Sequence, residues 1–248
     1  MRLLEGLEQS KQELSIDEKR RERIESVLEY LPTLEEARKT HESLGGVRAD
    51  ADVDWETITR EYVEHLSMKL LPEIQRLQKE KGSEPVMAVE IGAGKGKLTK
   101  AVKAFFSAFP EINIDFKATD KKENKANDVE PLVIDEALAV YQPDIVFISW
   151  QPKATDWDEK IEAIDSVKLM VTIGEPDVTG GPMHDVIEED YQSEVFDVDL
   201  DLVESLWQYQ LGASDDGMSE ERYKHFKKRF KHITRWSNLS KTMFFKRK

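Results

Sequence analysis

Two hydrophobic periodicities divide the chain. Within residues 1–85, Ile58, Tyr62, Leu66, Leu70 and Ile74 recur every four residues, as one buried helix face demands. Ser15-Ile16-Asp17-Glu18 and Thr33-Leu34-Glu35-Glu36 each set a hydroxyl three residues ahead of a glutamate, the capping-box pattern that opens a helix. The first predicts a helix to about Tyr30, ended by Leu31-Pro32. The second predicts one stopped by Gly45-Gly46. A third helical stretch is expected from near Trp55, kinked or split at Pro72, with Lys79-Glu80-Lys81-Gly82 closing the region.

From Val86 the pattern changes. Val86-Met87-Ala88-Val89-Glu90-Ile91 is a short, nearly continuous apolar run, as suits a strand covered on both faces. A helix should follow, with Leu98, Val102, Phe105, Phe106 and Phe109 on one side. Further strands are expected at Ile112 to Thr119, Ile145 to Ser149 and Lys168 to Ile173, with helices in Pro131 to Tyr141 and Asp158 to Asp165. Alternation of this kind implies an α/β fold with a parallel sheet between helical layers. Glu194 to Leu202 and Thr242 to Lys246 read as two last strands. The organisation expected is a helical N-terminal extension over residues 1–85 and an α/β domain over residues 86–248.

Composition narrows the chemistry. The chain has no cysteine, which excludes a disulfide framework, a thiolate metal site and a cysteine nucleophile. Its hydrophobic fraction of 39% and charged fraction of 35% describe a globular, polar-surfaced protein. Acidic residues come too early after Met1 for a signal peptide, and no apolar stretch reaches the ~18 residues that cross a bilayer, so a cytoplasmic location and no membrane partner are expected. A formal net charge of −14 argues against a surface built for phosphate backbones. Lys224 to Lys248 runs against that balance, with many Lys and Arg and no acidic residue. It reads as a solvated face and a charged chain end, or else as a docking patch.

The chemistry-bearing motif is Val89-Glu90-Ile91-Gly92-Ala93-Gly94-Lys95-Gly96, at the end of the first strand. Glycines at 92, 94 and 96 let the backbone turn tightly and approach a ligand. A P-loop would need four residues between its first Gly and the Gly-Lys pair, then Ser or Thr; here there are three, and Leu98 follows. The dinucleotide fingerprint is met only with its third Gly one residue early. An acidic residue two positions before Gly-x-Gly-x-Gly fits without adjustment. Asp120, at the end of the second expected strand, suits a carboxylate for ribose hydroxyls, a feature that nicotinamide sites share. Ile134-Asp135-Glu136-Ala137 and the strand Asp144-Ile145-Val146-Phe147-Ile148-Ser149, running into Trp150-Gln151-Pro152, complete the set.

On these motifs the sequence, from about Val86 to its end, resembles the class I S-adenosylmethionine-dependent methyltransferases. The resemblance implies a Rossmann-like, mostly parallel seven-stranded sheet with helices on both faces. It implies that Glu90 and the loop Gly92, Ala93, Gly94 and Gly96 hold the methionine end of S-adenosylmethionine. By the same resemblance Asp120 takes the ribose and Asp135 the adenine amine, while Ser149, Trp150 and the residues to Pro152 line the place of methyl transfer. Members that methylate amino groups carry Asp or Asn, two prolines and an aromatic there. Ser149-Trp150-Gln151-Pro152 departs from that pattern. Ser149 to Trp157, with Ile173-Gly174-Glu175, also looks like a methyltransferase-like group of plants and fungi. Trp150 and Trp157 are candidates for a substrate cradle or for core packing.

Methyl transfer needs no metal in principle, and a base matters only for a hydroxyl or a protonated amine. Glu175, Asp177 and His184 stand on the loop Gly174 to Asp185, which leaves the carboxyl end of an expected strand, the ligand-binding edge of an open parallel sheet. They are the candidate bases, and the same three could also be ordinary loop residues or metal ligands. The expected acceptor is a small molecule. Protein or RNA is the second reading, and a non-catalytic module that keeps the fold is the third. Oligomeric state is not encoded in these patterns.

Overall fold

The computed structural model describes residues 18–43, 58–122, 128–149, 151–152, 155–174, 191–196 and 241–248. In chain order the elements are α1 (Glu18–Val27), α2 (Leu34–Ser43), α3 (Arg60–Lys81), β1 (Val86–Ile91), α4 (Lys97–Phe106), β2 (Ile114–Asp120), β3 (Val129–Pro131), α5 (Ile134–Tyr141), β4 (Ile145–Ser149), α6 (Trp157–Glu162), β5 (Leu169–Gly174), β6 (Tyr191–Phe196) and β7 (Lys241–Arg247). The strands form one seven-stranded sheet in the order β3-β2-β1-β4-β5-β7-β6. Six strands run parallel, and β7 lies antiparallel between β5 and β6. This is the Rossmann-like α/β sheet the sequence implied.

Side chains alternate across the sheet with period two, so each strand feeds two cores. Val86 and Ala88 of β1, Ile145 and Phe147 of β4, Leu169 and Val171 of β5 and Phe244 of β7 join α1, α3 and α4 on one face. Val89 and Ile91, Val146 and Ile148, Met170, and Met243 and Phe245 join α5 and α6 on the other. Near-continuous apolar strands follow from burial on both sides. The four-residue stripe of α3 is buried as its spacing requires, from Tyr62 through Leu66, Leu70 and Ile74 to Leu77. The Tyr62 hydroxyl also meets Thr242 Oγ1 at 2.9 Å, which ties α3 to β7.

Local signals hold with adjusted boundaries. Thr33 and Glu36 form the capping box: Thr33 Oγ1 accepts from the Glu36 amide at 3.2 Å, and Glu36 Oε2 accepts from the Thr33 amide at 2.8 Å. The Ser15 box and Gly45-Gly46 lie outside the described residues, as does Trp55. Helix α3 begins at Arg60, where Thr59 Oγ1 accepts from the Tyr62 amide, and it runs unbroken through Pro72. Pro72 does not split it because it sits on the exposed side, where the carbonyl it leaves unpaired can meet water. The helix expected from Pro131 begins only at Ile134, since Val129–Pro131 is spent on edge strand β3. Strand β6 starts at Tyr191 rather than Glu194, in register with Arg247 at the chain end.

One polar anchor holds the sheet's opposite edge. Asp144 Oδ2 accepts from Lys81 Nζ at 2.7 Å and from the Met87 amide at 2.8 Å, clamping the end of α3 and the start of β1 onto β4. Asp144→Ala would leave an ammonium and an amide unpaired in a largely buried place. The expected loss, read by chemical denaturation, is about 2–3 kcal/mol of stability.

Candidate functional site

The strand register brings the conspicuous residues to one level. Ile91 of β1 lies opposite Thr119 of β2 and Ile148 of β4, so Gly92, Asp120 and Ser149 stand in a row at the carboxyl edge. The chain winds from β1 out to β2 and β3, then crosses back to β4 beside β1. The β1–β4 boundary is thus a topological switch point, where open α/β sheets bind ligands.

Gly92, Gly94 and Gly96 all adopt left-handed backbone, with φ of 68°, 56° and 68°. Their surroundings differ. A side-chain carbon on Gly94 would meet nothing within 4 Å, so the loop there faces open space. The same carbon on Gly92 would lie 2.7 Å from Trp157 Cη2 and 2.9 Å from Cζ3, so the indole is pressed against the first turn of the loop. Three loop amides are spent within the protein: Ala93 donates to the Thr119 carbonyl (2.9 Å), Gly94 to Asp120 Oδ2 (2.9 Å) and Gly96 to the Ala93 carbonyl (2.7 Å). These three amides are therefore not open to a ligand.

Two carboxylates flank it. Glu90 is 3% exposed, and its Oε2 accepts from both the amide (3.0 Å) and the hydroxyl (2.6 Å) of Thr99 in the first turn of α4. Among the described residues Oε1 has no hydrogen-bond partner. Burial pushes the Glu90 carboxyl up to about 7 against the pull of the Thr99 bonds, and the charge of Asp120 adds to the rise. Asp120 binds the Gly94 amide with one oxygen and the Lys122 amide with the other (3.1 Å), which pins the end of β2 to the loop. Lys95 and Lys97 stand exposed beside these groups.

Of the residues singled out in the sequence, Glu90, Gly92, Ala93, Gly94, Gly96 and Asp120 come together, with Ser149 at the same edge. Asp135 stands in the first turn of α5, where its Oδ2 takes an ion pair from Lys160 of α6 at 2.9 Å. That hydrogen bond holds the Lys160 ammonium above its ordinary range. Trp150, Glu175, Asp177 and His184 lie outside the described residues. Among the described residues no cluster of His, Asp and Glu could hold a metal ion, and no helix is long and apolar enough to cross a membrane.

Sequence reasoning counted Gln151 only among the residues lining the place of methyl transfer, gave Asp158 no role and left Trp157 undecided. Gln151 and Asp158 are buried, 4% and 6% exposed, and Gln151 Nε2 bonds Thr155 Oγ1 at 3.1 Å and Asp158 Oδ1 at 3.4 Å. The only signal for them was the polar-aromatic composition of the segment after β4. The last residues of the basic run are integrated into the sheet: Lys246 pairs with Glu73 at 2.8 Å, and Arg247 donates to the Tyr191 hydroxyl and the Glu162 carbonyl.

No family model matches the sequence, and no curated protein matches it. Solved structures that it is similar to include the precorrin-6y C5,15-methyltransferase from Geobacter metallireducens, 20% identical over 61% of this chain and 83% of that one, with a TM-score of 0.37. The plantazolicin methyltransferase BpumL, in complex with a triazolic desmethylPZN analog and SAH, is 10% identical over 94% of this chain and 99% of its own, with a TM-score of 0.35. The tRNA methyltransferase TrmI from Aquifex aeolicus is 12% identical over 87% of this chain and 76% of its own, with a TM-score of 0.37.

Proposed function

We propose that this chain is an S-adenosylmethionine-dependent methyltransferase acting on a small molecule. The observation that carries the reading is the chemistry around the glycine loop. A dinucleotide needs free loop amides for its pyrophosphate, and here the amides of Ala93, Gly94 and Gly96 are already bonded. What the loop offers instead is a buried carboxylate with one oxygen unpartnered among the described residues, and a second carboxylate beside it. That set suits the ammonium of an amino-acid end and the hydroxyls of a ribose. The open space over Gly94 is the cradle such a ligand needs. The antiparallel β7 between β5 and β6 likewise departs from the parallel order 3-2-1-4-5-6 of dinucleotide-binding sheets.

The residues fit S-adenosylmethionine, whose sulfonium supplies a methyl group already activated for transfer. Glu90 Oε1 would take the ammonium, and the lone pairs left on Asp120 would take ribose hydroxyls. Asp135 would reach the adenine amine only by sharing its carboxylate with Lys160. Ser149 and the residues after it, level with Gly92, border the place where the acceptor is aligned. The protein's work there is orientation and exclusion of water. Glu175, Asp177 and His184 remain the proposed bases for an acceptor that must lose a proton.

A small acceptor is preferred over RNA because the described end of the basic run is built into β7 and its ion pairs rather than presented as a patch. Methyl-labelled S-adenosylmethionine, incubated with the protein and separated metabolite, RNA and protein fractions, tests this. Label is expected in the metabolite fraction and should vanish with Gly94→Asp. Label confined to RNA or protein would overturn the choice of acceptor.

A further inference from the structure

Between β4 and α6, the described residues Gln151, Pro152 and Thr155 meet at an amide whose orientation its neighbours fix. The Thr155 hydroxyl donates its hydrogen to the Pro152 carbonyl at 2.9 Å, so toward Gln151 it can only accept. Asp158 Oδ1 also accepts. Both require the Gln151 nitrogen to face α6. Its oxygen, Oε1, is then buried with no hydrogen-bond partner among the described residues. A buried acceptor left unpaired is uncommon, and here the same amide sets the turn that carries Trp157.

Trp157 lies between the two residues that Gln151 binds. Its indole is half-buried, packed on the α5 and α6 side of the sheet and pressed against Gly92. One turn further on, Lys160 ties α6 to Asp135 at the start of α5 and to Asp156. Gln151 thus fixes the turn that leads into Trp157 and Lys160 fixes the helix that follows it, while the edge of the indole lies on the glycine loop.

We propose that Trp157 is a binding residue, the aromatic wall against which the nucleoside of the cofactor packs, and that Gln151 is the positioning residue that sets it. The inference rests on the function proposed above. A planar base and a rigid indole suit each other by stacking, and an indole edge fixed on Gly92 places that wall beside the loop. The segment after β4 then contributes to cofactor recognition as well as to the acceptor side.

S-adenosylhomocysteine, which carries the nucleoside without the sulfonium charge, is the probe. Calorimetry and tryptophan emission would be followed on wild type, Trp157→Phe, Trp157→Ala and Gln151→Leu, each checked for folding by circular dichroism. Binding should alter emission in the wild type. Trp157→Phe should still bind but lose most of that change, and Trp157→Ala should bind ~10-fold more weakly, the scale of about one lost aromatic contact. Gln151→Leu should weaken binding and shrink the emission change although the indole is still present, which a merely structural role would not do. An undiminished emission change in Trp157→Phe would overturn the inference, as would wild-type affinity in a folded Trp157→Ala. Both leave the methyltransferase reading standing, whereas a wild type that binds no S-adenosylhomocysteine removes both.

Discussion

Gly92→Ala is expected to cost stability, whereas Gly94→Ala is expected to cost mainly binding, although both glycines hold left-handed backbone in the same loop. At Gly92 two penalties add. The positive φ of 68° strains any L-residue by about 1–2 kcal/mol. The new methyl would also lie 2.7 Å from the Trp157 ring, which α6 and its polar turn hold in place, and overpacking of this kind costs about 1–3 kcal/mol. A total of about 2–5 kcal/mol should lower the Tm by roughly 5–15 °C in a chain of this size. Gly94→Ala carries only the first penalty, because nothing lies within 4 Å of the added carbon. That carbon enters the space assigned to the ligand. Thermal unfolding of the two variants, beside their affinity for S-adenosylhomocysteine, checks the contrast. Equal Tm losses would show that Trp157 does not brace Gly92.

Glu90→Gln should make the free protein more stable above neutral pH while weakening its hold on the cofactor. The folded carboxyl sits at about 7, above the ordinary 4.5 that the unfolded chain retains. Below about pH 4.5 both states are protonated and the group has no effect. As pH rises from there to 7, the unfolded state loses its proton first, so the wild type progressively loses stability, and above 7 the loss is complete. At its limit this is about 3 kcal/mol. Gln keeps an oxygen able to accept both Thr99 bonds and removes the buried charge, so the variant's Tm should exceed the wild type's at pH 8 and match it near pH 4.5. Binding should move the other way. An ammonium on Oε1 favours the ionised carboxyl, so wild-type affinity should rise several-fold between pH 6 and 7.4, while the ligand's own amine, near pKa 8, stays charged. The variant should bind weakly and with no such slope. A flat wild-type profile would separate Glu90 from the ligand.

Much of this architecture was legible in the chain. β4 was readable end to end because strands buried on both faces leave continuous apolar runs, and the three glycines were readable because only a left-handed turn needs them at that spacing. Asp120 was placed by its distance from the loop, but its bond to the Gly94 amide was not, since that depends on the register of β1 with β2. β3 was missed because three residues ending in Pro131 show no alternation, and their strand state comes only from pairing with β2. Pro72 does not split α3 because its local cost is outweighed by the buried stripe from Tyr62 to Leu77. The contact of Trp157 with Gly92 had no local signal, because one opens α6 and the other stands in the loop after β1, and only the sheet brings them together.

Isothermal titration of the wild type with S-adenosylhomocysteine and, separately, with NAD tests the central claim most directly. The account predicts saturable binding of S-adenosylhomocysteine, lost in Gly94→Asp, and no binding of NAD. A folded wild type that ignores S-adenosylhomocysteine, or that binds NAD in its place, would contradict it.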